Sequence, residues 1–252
     1  MDQGFYSAAA GLFVQQKSID VLSNNVANAN TAGYKSQGTA ESSFAEYVLA
    51  RVSTDPSINN RDIGTGSYIT VVDEDYTNFT EGALRMTERN VDLAIQGSGF
   101  FVINTAADGQ VLTRNGQFEV NDQGNLVLPG AGDVLGQNGQ PINVGTSDFS
   151  VTANGNIMVD GQNRGTLWVV NVANADDLTQ VGEGFFQANG FAQENNANFN
   201  VLQGYLETSN TDVTQEMSSL IARQNLYSSC SQMIKIFDRI HEISANQVGK
   251  TS

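Results

Sequence analysis

The amino-acid sequence predicts an α+β protein. N- and C-terminal α-helices pair as a coiled coil around a central, antiparallel all-β domain, with an extended linker segment in between. Phe5, Ala8, Leu12, Gln15, Ile19, Leu22 and Val26 recur at alternating three- and four-residue steps near the N-terminus. Val213, Met217, Leu220, Gln224, Tyr227, Ser231 and Ile234 do the same near the C-terminus. That spacing turns one narrow face of each helix toward a partner helix, as in a coiled-coil seam. Between the ends, short β-branched and aromatic runs alternate with Gly- and Asn-containing turns, the pattern of antiparallel strands.

The N-terminal helix is expected from about Gly4 to Val26, on the order of 33 Å at 1.5 Å per residue. Ser23-Asn24-Asn25 and Asn28-Ala29-Asn30-Thr31-Ala32-Gly33 close it with residues that favour local side-chain bonding over helix. Gly33 suits a left-handed turn, and Tyr34-Lys35 opens an extended segment. In residues 36–62, Phe44, Tyr47, Val48 and Arg51-Val52 are compatible with a short helix, followed by a polar linker around Asp55-Pro56 and Asn59-Asn60. Tyr68-Ile69-Thr70-Val71-Val72 and Phe100-Phe101-Val102-Ile103 have strand composition.

Hairpin signals then repeat at Asp108-Gly109, Asn115-Gly116, Gln123-Gly124-Asn125, Asn138-Gly139 and Asn154-Gly155. Thr166–Val172 is the strongest strand candidate of a compact antiparallel domain over roughly 91–190. Gln193–Asn200 reads as a surface loop, and Val201–Leu206 as one strand leading back to the ends. Thr208-Ser209-Asn210 supplies capping chemistry for a helix running from about Val213 to Val248. The C-terminal stripe shifts after Ile234 and continues through Phe237 and Ile240, which points to a change of partner there. The expected division is therefore 1–35 with 206–252 as a helical domain, 36–90 as an extended linker with a β-hairpin, and 91–205 as the β domain.

Charge is distributed unevenly. The chain of 252 residues carries 27 acids and 12 bases, net −15. Residues 36–205 hold 20 acids and 6 bases, net −14, which leaves the ends nearly neutral at −1. Neutral ends can pack against copies of themselves, while the acidic middle is soluble and self-repelling. No basic patch is present to neutralise phosphates, so nucleic acid and anionic membrane are poor partners. The single cysteine, Cys230, excludes an internal disulfide framework. Phe5–Val14 lacks the basic n-region of a secretory signal.

The inventory for catalysis is thin, and the expectation is no enzyme. His241 is the one histidine, and neither a Gly-x-Ser-x-Gly elbow nor a phosphate loop ending in Lys-Ser/Thr occurs. Asp73-Glu74-Asp75 lacks the spacing of a calcium loop and fits a solvated turn. No catalytic residue, cofactor, metal ligand or small-molecule substrate is assigned. The alternative of a secreted β-domain protein that binds or cleaves glycans rests on the many acids, because 27 carboxylates always offer some pair.

Four segments carry a family resemblance. Ser23-Asn24-Asn25-Val26-Ala27-Asn28-Ala29-Asn30-Thr31-Ala32-Gly33-Tyr34-Lys35 resembles the N-terminal signature of bacterial flagellar rod and hook proteins. Asp92-Leu93-Ala94-Ile95-Gln96-Gly97-Ser98-Gly99-Phe100-Phe101 and Thr113-Arg114-Asn115-Gly116-Gln117-Phe118 resemble the opening of their β domain. Gly204-Tyr205-Leu206-Glu207-Thr208-Ser209-Asn210-Thr211-Asp212-Val213 is similar to the signature before their C-terminal helix.

The resemblance implies an axial subunit of the flagellar basal-body rod, of the proximal or distal type. Its terminal helices would self-assemble into a hollow rod that transmits motor torque to hook and filament. The implied partners are copies of itself, other rod and hook proteins, and the flagellar type III export apparatus. The implied localisation is the basal body, reached without a cleaved signal peptide. Arg223-Gln224-Asn225-Leu226-Tyr227 stands where the distal type often has Gln-Arg-Ala-Tyr, so the two rod types stay open.

Overall fold

In a computed structural model of the chain, residues 3–44, 47–51, 61–66, 69–172, 178–182, 184–188 and 199–248 are described. Two long helices, α1 (Gln3–Ala27) and α2 (Val213–Val248), lie at the two ends of the sequence, and the described regular elements between them are strands. The chain divides into two compact units. One holds Met1–Ala27, Gln37–Asn78 and Asp212–Ser252, and the other Asn28–Ser36 and Phe79–Thr211. The expected 36–90 linker is thus shared between them.

In the first unit, α1 contains no proline and two glycines, Gly4 and Gly11. Glycine weakens a helix interior by about 1 kcal/mol, and here both glycines make room for α2. A Cβ at Gly4 would come 2.8 Å from the Phe237 ring, and one at Gly11 would come 3.4 Å from Cys230 Sγ. Further along, Arg223 Nη1 donates to Gln15 Oε1 (3.1 Å) and Asn25 Nδ2 to Glu216 Oε1 (3.4 Å). Positions advancing on α1 meet positions receding on α2, so the helices run antiparallel. Gly4, Gly11 and Asn25 face Phe237, Cys230 and Glu216, with identical spacings of seven and fourteen residues on the two helices.

The same unit holds β1 (Gln37–Phe44), β2 (Tyr47–Arg51), β3 (Arg61–Gly66) and β4 (Ile69–Thr77). β1 pairs antiparallel with β4 from Gln37↔Thr77 to Phe44↔Ile69, and β2 with β3. The short helix considered over Phe44–Val52 is corrected to strands at Phe44 and Tyr47–Arg51, with residues 45–46 and Val52 outside the described residues. Tyr47-Val48-Leu49 suits a pleated surface, and a paired partner strand overrides an accidental helical spacing.

Among the described residues the second unit runs through fifteen further strands. They are β5 (Leu84–Met86), β6 (Leu93–Gly97), β7 (Phe100–Thr105), β8 (Gly109–Thr113), β9 (Glu119–Val120), β10 (Leu126–Leu128), β11 (Gly132–Val134) and β12 (Ser150–Val151), followed by β13 (Asn156–Val159), β14 (Gln162–Thr166), β15 (Val169–Val170), β16 (Leu178–Gly182), β17 (Phe185–Ala188), β18 (Phe199–Gln203) and β19 (Tyr205–Glu207). The largest sheet has the order β16-β17-β8-β7-β11-β10-β9, with β15 also on β7. β12-β13-β14 form a second sheet, and β18-β6 and β19-β5 are pairs.

β7 explains the apolar run at its position. Phe101 and Ile103 enter one core with Leu93, Phe118, Ile157 and Leu167, while Phe100 and Val102 enter a second core with Leu112 and Phe186. A strand buried on both faces reads as a continuous apolar run.

Four local expectations are revised. Thr166–Val172 is not one strand. Thr166 ends β14, Trp168 N bonds Leu135 O, and β15 joins β7, so the run passes from one sheet to another. Val201–Leu206 is broken at Gly204, whose φ of +77° separates β18 on β6 from β19 on β5. Asn115-Gly116 is not a hairpin turn: Gly116 lies flat against Leu93, whose N–H it accepts at 3.0 Å, and a side chain there would overlap the Leu93 carbonyl. The cap of α2 is Asp212, whose Oδ1 accepts from Thr214 N (2.9 Å) and Gln215 N (3.3 Å). Of the expected 193–200 loop, 193–198 lies outside the described residues, and Phe199-Asn200 starts β18.

The chain's one tryptophan, Trp168, lies in the second unit and packs on the Phe100–Phe186 core. Phe101 is fully buried and meets Phe118 edge-on at 5.2 Å. Phe101→Ala is expected to cost this unit about 3–5 kcal/mol. Urea unfolding followed by tryptophan fluorescence checks it; an unchanged midpoint refutes the central placement of Phe101.

Candidate functional site

Three distant segments of the second unit converge on one buried carboxylate. Glu207, in β19, is 2% exposed. Its Oε1 accepts from Lys35 Nζ at 2.6 Å and from Gly82 N at 2.9 Å, and its Oε2 lies 3.3 Å from Arg114 Nη1. Lys35 Nζ also donates to Thr80 O (2.7 Å). The Arg114 guanidinium donates to Ile95 O (3.3 Å) and Gly97 O (2.7 Å), and sits 5.3 Å from the Phe100 ring centroid. Burial lowers the Lys35 pKa from its ordinary 10.5; the Glu207 carboxylate opposes that shift and the Arg114 charge adds to it. Two cations thus share one fully buried anion.

The backbone is shaped to bring these groups together. Gly33 takes φ +67°, and a side chain there would collide with the backbone of Arg114-Asn115. Its N–H donates to Glu207 O at 2.8 Å, and Tyr34 and Lys35 follow directly into the core. Gly82 lies flush against Thr208, and Thr208 N bonds Ala83 O. Asn210 completes the junction: its Oδ1 accepts from Ser36 N (2.8 Å), and its Nδ2 donates to Thr80 O (3.1 Å). Gly97 and Gly99 have φ of +98° and +136°, and a Cβ on Gly99 would come 2.7 Å from Val169. Ser209 Oγ bonds Thr211.

The first unit has its own polar knot. Asn25 is fully buried; its side chain donates to Gln37 O (2.8 Å) and accepts from Gln37 N (2.9 Å), extending β1 as a further strand would. Ser18 Oγ bonds Thr39 at 3.0 Å. Of the remaining motif positions, Ser23 and Ala27 are exposed, Asn24 half-buried and Asn28 buried.

Along α1, Ala8 is buried, and Phe5, Leu12, Ile19, Leu22 and Val26 are half-buried. The most deeply buried row is Val14, Ser18, Val21 and Asn25, one position round from the predicted stripe. α1 packs against both α2 and the β1–β4 pair, so its deepest row lies between two partners, which a one-seam reading cannot anticipate. On α2, Leu220, Tyr227, Ile234 and Phe237 are half-buried, while Val213 and Met217 are exposed.

Arg114, Thr80 and Gly82 were not singled out from sequence. The signal for Arg114 was its position at the end of the strand run Val111-Leu112-Thr113, a costly place for an unpaired cation.

Comparison with known proteins follows the same segments. The family model described as flagella basal body rod protein matches residues 5–35. That of the flagellar hook protein FlgE/F/G D1 domain matches 94–159, and that of the flagellar basal body rod FlgEFG protein C-terminal region matches 202–248. The flagellar basal-body rod protein FlgG of Bacillus subtilis (strain 168) is 32% identical over 259 residues, covering 95% of this chain and 97% of that protein. FlgG of Caulobacter vibrioides is 30% identical over 254 residues, covering 94% and 96%. The flagellar hook-basal body complex protein FlhO of Bacillus subtilis is 28% identical over 271 residues, covering 99% and 100%. The chain belongs to the flagellar basal-body rod protein family. It is a structural protein of the flagellar basal body, and the buried junction is architecture: each of the three matched stretches supplies one of its charges, Lys35, Arg114 and Glu207.

The charge count orders the effects of mutation. Glu207→Gln leaves two buried cations without an anion and is expected to cost about 3–5 kcal/mol. Lys35→Met leaves a matched Arg114–Glu207 pair and should cost clearly less. Denaturant unfolding of both variants checks the order, and equal losses refute it. Lys35 holds its proton less tightly folded than unfolded, so protonated Lys35 penalises folding and the penalty fades as pH rises toward 10.5. The wild-type chain should therefore gain stability relative to Lys35→Met between neutral and alkaline pH. A constant difference refutes the direction of that shift.

Proposed function

We propose that the chain is a self-assembling axial subunit of the rod. Its α1–α2 pair acts as a coiled coil that packs against copies of itself and neighbouring rod and hook proteins to form a hollow tube. In this reading residues 1–35 and 206–252 build the inner layer, 36–90 link it to the outer layers, and 91–205 form the outer β domain. The subunit leaves the cell interior through the flagellar type III apparatus and carries torque toward hook and filament. The predicted seam residues on both helices are its contact positions.

The observation that carries this reading is a second apolar row on α2. Leu226, Met233, Ile236, Ile240 and Ile243 are each about half exposed, at steps of seven, three, four and three residues. They lie beside the row Tyr227, Cys230, Ile234 and Phe237, which is half-buried. A helix with one satisfied stripe and one open stripe of the same period suits packing between two neighbours. The seven-residue spacing of the α1–α2 contacts supports the coiled coil, since a heptad repeat keeps a seam facing its partner.

Ile240→Asp tests assembly without touching the α1-facing row, whereas Leu12→Asp and Leu220→Asp strike half-buried positions of the helix pair itself. Cells carrying Ile240→Asp as their only copy are expected to be non-motile, although the purified variant keeps wild-type helix and strand content. Normal swimming by the Ile240→Asp cells overturns the open row as an assembly surface.

A further inference from the structure

A polar groove of about 250 Å³ opens in the first unit, lined by Ser18 and Val21 of α1, Gln37 and Thr39 of β1, Tyr76 of β4 and Glu216 of α2, among others. Glu216 is the anomaly in it. Its Oε2 is out of contact with solvent and has no hydrogen-bond partner among the described residues, while Oε1 has only the long 3.4 Å bond from Asn25. Desolvation raises its pKa above the ordinary 4.5, the Asn25 bond opposes this, and the nearby Asp212 charge adds to it. Arg223 lines the same groove, but it donates to Gln15 and forms no ion pair with Glu216. The carboxylate lacks a cation.

The same helix carries two further cations that form no ion pair among the described residues, although Asp238 and Glu242 lie on the same turns. Lys235 and Arg239 are exposed and make no ion pair or hydrogen bond among the described residues. One helical turn apart, they flank Ile236 and Ile240 of the open apolar row. They stand 19 and 23 residues beyond Glu216, or about 28–35 Å along the axis at 1.5 Å per residue. No side chain spans that distance, so these opposite charges can meet only between copies.

We infer that the Glu216 groove of one copy receives Lys235 or Arg239 of a second copy, staggering the two along the helix axis by roughly 30 Å. This rests on the self-assembly reading and adds to it a register and a direction. Stacked in parallel with that stagger, each copy keeps a free groove at one end and free cations at the other, so the contact is head-to-tail and continues into an open polymer; an antiparallel pair would satisfy both contacts at once and close into a dimer, which sedimentation distinguishes. The open apolar row supplies the area of the interface; the ion pair selects which turn of one helix meets the other.

Charge exchange on the full-length chain tests this, with assembly followed by light scattering and sedimentation, and folding by circular dichroism. Glu216→Lys alone, and Lys235→Glu with Arg239→Glu, should each raise the concentration needed for assembly by about tenfold or more. An equimolar mixture of the two variants should co-assemble near the wild-type concentration, because every contact in an alternating polymer then pairs opposite charges. Combining all three changes in one chain should restore assembly likewise. If the mixture and the combined variant do no better than the weaker parent, or if the parents assemble like wild type, the register is wrong. If Ile240→Asp still abolishes assembly in that case, the self-assembly reading stands without the register. A wild-type chain that stays monomeric at every concentration overturns both.

Discussion

The second unit depends on a single carboxylate. Glu207 lies 172 residues from Lys35 and 93 from Arg114, and with them it closes the unit around the points where the chain comes in and goes out. The chain passes between the two units after Ala27, Ser36, Asn78 and Thr211. Lys35, Ser36, Thr80 and Asn210 are all within four residues of such a crossing and are bonded to one another or to Glu207. An apolar cluster of the same volume would hold these segments at comparable free energy. It would not set their register, whereas an ammonium, a guanidinium and an amide N–H aimed at two carboxylate oxygens accept one arrangement.

The two units use different chemistry for their contacts. Among its described residues the β unit has its strands paired, its two cores sharing β7 and its charged junction internal. Its sequence is strongly acidic, so copies repel. The helical unit is left incomplete, with Phe13 72% exposed and a row of half-exposed aliphatics on α2. An open helical unit supports the proposal that the chain assembles through its ends, and that proposal agrees with its membership of a structural basal-body family.

The sequence made the α+β class and the extents of both helices legible, because long three-and-four periodicity and an absence of proline leave few alternatives. Hairpins with a glycine at positive φ were equally readable: Gly109, Gly124, Gly139 and Gly155 all lie in such turns. What failed was partner choice. Thr166–Val172 has uniform strand composition but changes sheet at Leu167, and Tyr47–Arg51 is a strand because β3 lies beside it. Lys35 and Glu207 were visible as motif residues, yet their ion pair was not, since nothing local marks a contact across 172 residues. Arg114, in a chain stretch with few bases, carried only the indirect sign of a cation beside buried strand residues.

The position of the deepest row on α1 follows from the same argument about partners. A helix with one neighbour buries the centre of its apolar stripe; a helix with two buries the line between them, and that line tolerates polar residues when the second neighbour is a strand edge. Ser18 and Asn25 occupy it here, bonding Thr39 and the Gln37 backbone of β1. Asn25 does more than fill space. It bonds both the N–H and the C=O of Gln37, each bond contributing about 0.5–1.5 kcal/mol. A leucine there would improve the helical stripe and remove both of those bonds, so an amide is the residue type that lets one helix serve a helix on one side and a strand on the other.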